Sequence, residues 1–319
     1  MASTQMVHMN QGQGETSYAR NSGIQNALQN RMKPLIEAAI AELCSSTNTL
    51  FPEKMLIADL GCSSGPNALA LVSIAVEAIH SHCLQLQQPP PEVCVLLNDL
   101  PDNDFNTVVK SLVTLHQSNE PAVVTVGIMP GSFYERLFTS GSMHLFCSLN
   151  SLNWLSKAPE DLTKNWIPAY DVDEHARRRR SDDRASKFSH MWEIFAQILG
   201  VMASEGVIDK AKYDSFYVPV YGPCDEELRE IIQAEGSFSI TEMRAHDFTR
   251  GRDASLITAG WYANQMRAAF EPIVVHHFED VMDEFVRTAE RRWSMEGSLQ
   301  DEVARYPRAQ LVASLTKKA

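Results

Sequence analysis

Several features that would point to common classes of protein are missing from this sequence. Lys and Arg number 28 against 40 Asp and Glu, giving a formal net charge of −12, whereas a nucleic-acid partner usually needs a basic face. The six cysteines include no C-x-x-C pair and no metal-ligand spacing, so we predict reduced thiols and no metal. No G-x-G-x-x-G is present, which disfavours a nicotinamide-dependent dehydrogenase.

Long apolar runs are also scarce. Residues 1–14 are polar and contain no apolar signal-peptide core, and no apolar run approaches the length of a membrane span. We therefore expect a cytoplasmic protein that does not enter a membrane. The 319 residues, 44% of them apolar, predict two domains or one core with a large insertion.

The chain is organised around residues 55–67. An apolar strand ends in Asp59, a turn containing Gly61 and Gly65 follows, and a helical pattern starts near Asn67. Such a turn lets a ligand approach the backbone and aims helix N-terminal amides at it. A carboxylate there would repel phosphates, so Asp59 favours a cofactor that carries an ammonium or sulfonium charge.

Further strands are predicted at residues 93–97, 123–128 and 145–147. Helical patterns separate the strand that ends at Asp59 from the strand at 93–97, and that strand from the one at 123–128. Asp99 follows the second strand, where nucleotide-binding sheets commonly hold a ribose. The alternation of strands and helices predicts an α/β fold with a parallel sheet, with binding residues at the carboxyl ends of its strands. Residues 188–202 and 272–293 each predict an amphipathic helix, and residues 311–315 predict a closing strand.

The motifs of the chain resemble those of the plant SABATH methyltransferases, which methylate small carboxylic acids or, in a caffeine branch, ring nitrogens. The matching motifs lie within residues 8–22, 57–67, 98–106, 130–138 and 151–156. The resemblance implies a Rossmann-like S-adenosylmethionine-dependent core with an α-helical cap. It assigns residues 1–155, 236–250 and 305–319 to the core, and residues 156–235 and 251–304 to the cap. It also implies a homodimer.

The resemblance assigns roles to residues of this chain. Gln25 and Trp154 match the pair of donors that orients the substrate carboxylate. The matching cofactor positions are Tyr18, Ser22, Asp59, Asn67, Asp99, Leu100, Ser132 and Phe133. The matching substrate positions are Gln25, Asn150, Asn153, Trp154, Met191, Trp192, Tyr221 and Met266. Many relatives carry Lys where this chain has Asn10, so neutral contacts are expected around the carboxylate.

The resemblance is interrupted at residues 180–181. Family members continue through a helix and a central strand there, whereas the run Arg177 to Arg180 leads directly into Ser181. One helix and one central strand are therefore predicted to be missing. The loss of an interior strand leaves ladder groups unpaired on its neighbours.

The small-molecule substrate is predicted to be a carboxylic acid. Asn150 and Asn153 stand where salicylate-type members carry larger residues, which favours a jasmonate-like acid, with benzoate and salicylate as alternatives. Two other functions stay open. One is a non-catalytic or truncated paralogue that lacks the core strand. The other is a caffeine-type N-methyltransferase, which the retention of both Gln25 and Trp154 disfavours.

Overall fold

A computed structural model describes residues 8–45, 53–115, 124–156, 185–220, 222–223, 225–247, 258–295 and 309–318. Contacts within the chain divide it into two units. We call Val7–Leu152 with Ala268–Pro272 the N-terminal unit. The C-terminal unit consists of the described residues from 153 to 267 and from 273 to 318. The core and cap boundaries given above stay a prediction.

The described residues form eight helices and six strands. The strands are β1 Lys54–Leu60, β2 Glu92–Asp99, β3 Val124–Pro130, β4 Leu145–Cys147, β5 Phe238–Asp247 and β6 Ala309–Lys317. The helices are α1 Gly23–Ser45, α2 Asn67–Gln85, α3 Phe105–Leu115, α4 Ala185–Ser204, α5 Lys210–Ser215, α6 Asp225–Glu235, α7 Ala259–Phe278 and α8 Met282–Met295.

The N-terminal unit contains a parallel sheet in the order β3-β2-β1-β4. The register pairs Asp59 with Leu97 and with Cys147. The sheet is built from apolar strand residues such as Ile57, Val95 and Leu97, none of which is exposed to solvent. Such near-continuous apolar runs are typical of parallel strands. The carboxyl ends of β1, β2 and β3 therefore meet at one edge of the sheet, which confirms the predicted α/β class.

Helix α2 is apolar enough and long enough, at 19 residues, to span a membrane. The prediction that no apolar run approaches the length of a membrane span was therefore wrong. Leu71, Ala75 and Ile79 of this helix are fully buried. The apolar composition thus reflects a core position in this unit, where α1 and the sheet contribute further buried side chains.

The C-terminal unit contains β5 and β6, which pair antiparallel from Phe238 with Lys317 to Asp247 with Ala309. The helices of this unit share aromatic contacts. Phe195 of α4 lies 5.2 Å from Phe285 of α8, and Phe216 lies 4.9 Å from Phe278 of α7, measured between ring centroids. The predicted helix over residues 188–202 is confirmed within α4.

Two details of the helix predictions were wrong. The helix predicted over residues 272–293 is two helices, because α7 ends at Phe278 and Glu279 adopts a positive φ of 72°. Pro272 lies inside α7 and does not begin a helix.

The predicted loss of a central strand stays a prediction, because it falls beside residues that the structure does not describe. Within the described residues, β4 pairs with β1 alone, and β5 and β6 form a separate two-stranded sheet. Residues 157–184, which include the predicted gap, lie outside the described part of the chain.

Candidate active site

The turn after β1 depends on glycine at two positions. Gly61 and Gly65 have positive φ values of 80° and 90°. A Cβ atom on Gly61 would lie 2.3 Å from Cβ of Ser151, and one on Gly65 would lie 2.7 Å from Cα of Ala19. Both positions therefore require glycine for conformation and for space.

Hydrogen bonds join the ends of the four parallel strands. The Asn98 carbonyl accepts bonds from the N–H groups of Gly61 and Cys62, both at 2.9 Å. Nδ2 of Asn98 donates to the carbonyls of Met129, at 2.7 Å, and Gly131, at 2.9 Å. The Ser151 hydroxyl donates to the Leu60 carbonyl at 2.6 Å. These bonds fix the backbone on which the candidate site is built.

Two carboxylates lie at this edge of the sheet. Burial and the nearby charge of Asp99 raise the pKa of Asp59 to about 7. Burial also raises the pKa of Asp99, although its oxygens accept bonds from the N–H groups of Ser63, at 2.7 Å, and Leu100, at 2.8 Å. Since a carboxylate can accept about four hydrogen bonds, Asp99 retains acceptor capacity for a ligand.

An S-adenosylmethionine cofactor fits these two acids. Its sulfonium and ammonium charges would relieve the repulsion between Asp59 and Asp99, and an opposite charge nearby favours the ionised form of a carboxyl group. Asp59 is the residue predicted to face the charged methionine end, and Asp99 the residue predicted to face the ribose.

The other predicted cofactor residues of the N-terminal unit lie around the same turn. Tyr18, Ser22 and Asn67 are buried, and Nδ2 of Asn67 donates to the Ser22 carbonyl at 3.2 Å. Burial, followed by the charge of Asp99, raises the pKa of Tyr18, which stays neutral. The Phe133 ring would lie 3.7 Å from a Cβ on Gly61.

Two further predicted cofactor residues belong to loops that follow β2 and β3. Leu100 directly follows β2 and is partly exposed. Ser132 lies just after β3, where its carbonyl accepts the Glu135 N–H at 2.9 Å. Both loops start at the sheet edge that holds the two acids.

Gln25 has unused hydrogen-bonding capacity. Its Oε1 atom is buried and has no hydrogen-bond partner among the described residues. Because buried polar groups are normally paired, this amide is suited to a polar ligand. The predicted role of Gln25 in orienting a carboxylate stays a prediction.

Asn150 adopts a left-handed conformation with a φ of 64°. Asparagine tolerates this region better than larger residues do. The backbone thus accounts for Asn150 independently of any substrate, and the preference for a jasmonate-like acid then depends on Asn153.

The remaining predicted substrate residues belong to the C-terminal unit. Trp154 forms an antiparallel bridge with Val220, and the Leu155 N–H donates to the Pro219 carbonyl at 2.7 Å. Asn153 is partly exposed, and Met266 is buried within α7. Tyr221 lies outside the described residues, as do the side chains of Met191 and Trp192.

The sequence analysis missed several residues that support the site. Asn98 was seen only as the neighbour of Asp99, and Asn103, whose Nδ2 donates to the Ser63 carbonyl at 2.9 Å, was seen only as part of a motif. Asp104 accepts the Gly12 N–H at 2.9 Å. The asparagine that directly follows the apolar run 93–97 was a usable signal for Asn98, because an amide at the end of a buried strand needs partners.

The fold and the site define an α/β methyltransferase of the S-adenosylmethionine-dependent class. A solved loganic acid methyltransferase with SAH superimposes with a TM-score of 0.80 at 24% identity, covering 98% of this chain and 99% of that one. The sequence model of the SAM-dependent carboxyl methyltransferase family matches residues 4–175 and 172–318. The chain belongs to this family.

Named relatives agree with the family assignment. The chain is 34% identical to probable jasmonic acid carboxyl methyltransferase 2 of Theobroma cacao, covering 90% of this chain and 92% of the relative. It is 32% identical to the benzoic acid/salicylic acid carboxyl methyltransferase 3 of Petunia hybrida, covering 89% and 91%. S-adenosylmethionine is the cofactor of the family, and the predicted enzyme class is confirmed.

The comparisons also bear on the predicted gap. The cacao alignment has 348 positions, whereas 90% of this 319-residue chain is about 287 residues, so about 60 positions have no counterpart here. The two stretches matched by the family model meet at residues 172–175. This boundary lies close to residues 180–181, where a helix and a strand were predicted to be missing.

Proposed function

We propose that the turn after β1 binds S-adenosylmethionine and that the chain transfers its methyl group to a small carboxylic acid. The observation that carries this proposal is a pair of acids beside a glycine turn, the buried Asp59 and the partly exposed Asp99. A cationic cofactor is the ligand that such a pair favours. The buried, unpartnered Oε1 of Gln25 supports a polar ligand nearby.

The bound cofactor supplies a methyl group on a positively charged sulfur. Held beside Asp59 and Asp99, it would offer an electrophilic methyl carbon to a carboxylate oxygen of the substrate, and its sulfur would keep the electron pair of the carbon–sulfur bond. A carboxylic acid with a pKa near 4 is already ionised at neutral pH, so no base is needed. Positioning is then the main contribution of the protein and can lower the barrier by roughly 7–11 kcal/mol.

Gln25 and Trp154 are proposed to orient the carboxylate through neutral donors. A fixed cation would stabilise the anion before attack and so raise the barrier. We further propose a jasmonate-like acid as the preferred substrate, with benzoate and salicylate as alternatives. The support is Asn153 together with the similarity to jasmonic acid and benzoic/salicylic acid methyltransferases.

The proposal is tested by measuring methyl-ester formation from labelled S-adenosylmethionine with jasmonate, benzoate and salicylate. Trp154→Phe removes the indole N–H and keeps most of the ring. Each lost donor to a charged acceptor should lower kcat/KM by about ten- to a hundredfold, while cofactor affinity is unchanged. Full activity of Trp154→Phe on every acid that the parent methylates would exclude this role for Trp154.

A non-catalytic paralogue is the second candidate. The observation that favours it is the absence of about 60 positions that the cacao relative carries. Calorimetric titration with S-adenosylmethionine separates the two functions. Cofactor binding without methyl transfer to any acid of the panel would favour the non-catalytic protein.

We also propose a cytoplasmic homodimer. The five cysteines that the structure describes are free thiols, as expected in a reducing compartment. The homodimer is inferred from the family resemblance alone. Light scattering after size-exclusion chromatography measures the mass in solution, and a mass near 35.7 kDa would contradict a dimer.

A further inference from the structure

The N-terminal segment, residues 8–22, crosses the turn that holds the candidate cofactor site. Ala19 lies against Gly65, and Tyr18 is buried close to Asp99. Gly12 donates to Asp104, and Nε2 of Gln11 donates to the Asp102 carbonyl at 2.8 Å. The segment thus covers the backbone that would approach the cofactor.

A proline in α7 creates the second attachment of this segment. Pro272 has no N–H, so the carbonyl four residues earlier, that of Ala268, receives no helical hydrogen bond from it. The Asn10 N–H donates to this carbonyl at 2.8 Å. Ala268–Pro272 is also the stretch of α7 that groups with the N-terminal unit.

The side chain of Asn10 completes the attachment. One Nδ2 bond goes to the Glu271 carboxylate, and another goes to the Thr16 carbonyl at 3.0 Å. The Asn10 carbonyl accepts the Tyr18 N–H at 2.9 Å. Asn10 therefore connects α7 to the stretch that contains Tyr18 and Ala19.

We propose that Asn10, Glu271 and Pro272 are positioning residues that dock the N-terminal segment on α7 and thereby retain the cofactor. We call this set of contacts the Asn10 latch. The proposal rests on the proposed cofactor site, because the latch acts through the cover on that site. None of the three residues needs to touch the cofactor.

Three substitutions weaken the latch in different ways. Asn10→Ala removes both side-chain bonds, and Glu271→Ala removes one acceptor. Pro272→Ala supplies an N–H that competes with Asn10 for the Ala268 carbonyl. Glu271→Gln keeps an acceptor oxygen and is the conservative rescue. Pro34→Ala, in the proline-containing helix α1, is the matched control.

Hydrogen exchange of residues 8–22 in the cofactor-free protein tests the docking directly. We expect faster exchange in Asn10→Ala, Glu271→Ala and Pro272→Ala, and parental exchange in Glu271→Gln and Pro34→Ala. Parental exchange in all three weakened variants would overturn the latch. This readout does not depend on methyl transfer.

Cofactor affinity tests the consequence. Each weakened variant should bind S-adenosylmethionine about fivefold less tightly, as expected for the loss of one hydrogen bond. In Glu271→Ala and Pro272→Ala, which change no residue expected near the carboxylate, the KM for the acid and kcat at saturating cofactor should not change, and this separates positioning from general destabilisation. Faster exchange with parental affinity would overturn the retention role. A parent that binds no cofactor would overturn the proposed function, whereas the exchange pattern would still decide the docking.

Discussion

At the scale of single residues, Asp59 links cofactor binding to protonation. Its raised pKa of about 7, caused by burial and by Asp99, means that folding favours the protonated acid. This contribution to stability is complete below the unfolded pKa near 4 and is lost as pH rises to about 7. A cation bound beside Asp59 favours the ionised carboxylate over the protonated acid and so lowers the pKa of Asp59.

We therefore predict that S-adenosylmethionine binds more tightly at pH 8 than at pH 5.5, with a proton released on binding near pH 6. Calorimetry in two buffers of different ionisation enthalpy measures the release. Asp59→Asn should bind more weakly and should release no proton from this position. The melting temperature of the cofactor-free parent is expected to decrease from pH 5 to pH 8, and in Asp59→Asn this decrease should be absent. An affinity that is independent of pH in the parent would contradict this assignment.

At the scale of elements, the strand–turn–helix unit around Gly65 joins the sheet to the N-terminal segment. We predict that Gly65→Ala destabilises the protein more than Gly141→Ala does. Both glycines have positive φ values, of 90° and 71°, but only a Cβ on Gly65 meets backbone, at 2.7 Å from Cα of Ala19. Overpacking of this kind typically costs about 1–3 kcal/mol.

Urea unfolding of the two variants measures this difference directly, because the Gly141 variant carries a comparable conformational penalty with no atom within 4 Å of its new Cβ. Equal free energies of unfolding would show that Ala19 moves aside without penalty. Weakened cofactor binding by Gly65→Ala would additionally connect the close packing to the candidate site.

The elements differ in how well the sequence predicted them. The strands of the parallel sheet were predictable, because runs such as residues 93–97 are apolar and end in polar residues. The break after Phe278 was not predictable, because apolar residues at helical spacing continue across it. Val274 before the break and Phe285 after it are both fully buried. The docking of Asn10 on α7 joins residues about 260 positions apart in sequence, and no local pattern reports such a contact. Asp59 was predictable because an acid at a glycine turn is chemically unusual.

At the scale of the whole molecule, the cacao alignment has about 60 positions with no counterpart in this chain, and the prediction is that they include one helix and one central strand. The parallel sheet ends at β4 and the pair β5-β6 is a separate sheet within the described residues. A buried backbone group left without a partner costs about 1–3 kcal/mol. A strand that pairs with β4 would supply partners for its outer backbone groups and would bury apolar surface such as Phe146, which is 52% exposed.

We predict that inserting the corresponding helix and strand of the cacao relative between Arg180 and Ser181 raises both the melting temperature and the turnover. Each kcal/mol added to the free energy of unfolding should raise the melting temperature by about 2–4 °C in a chain of this size. Several recovered hydrogen bonds would therefore raise the melting temperature measurably. An insertion of equal length rich in Gly and Ser is the control, because it lengthens the chain without supplying a strand. Differential scanning calorimetry and the methyl-ester assay measure the two effects. If the restored chain and the Gly/Ser control match the parent in both, the sheet of this protein is complete without the strand, and its activity is set by the residues at the sheet edge alone.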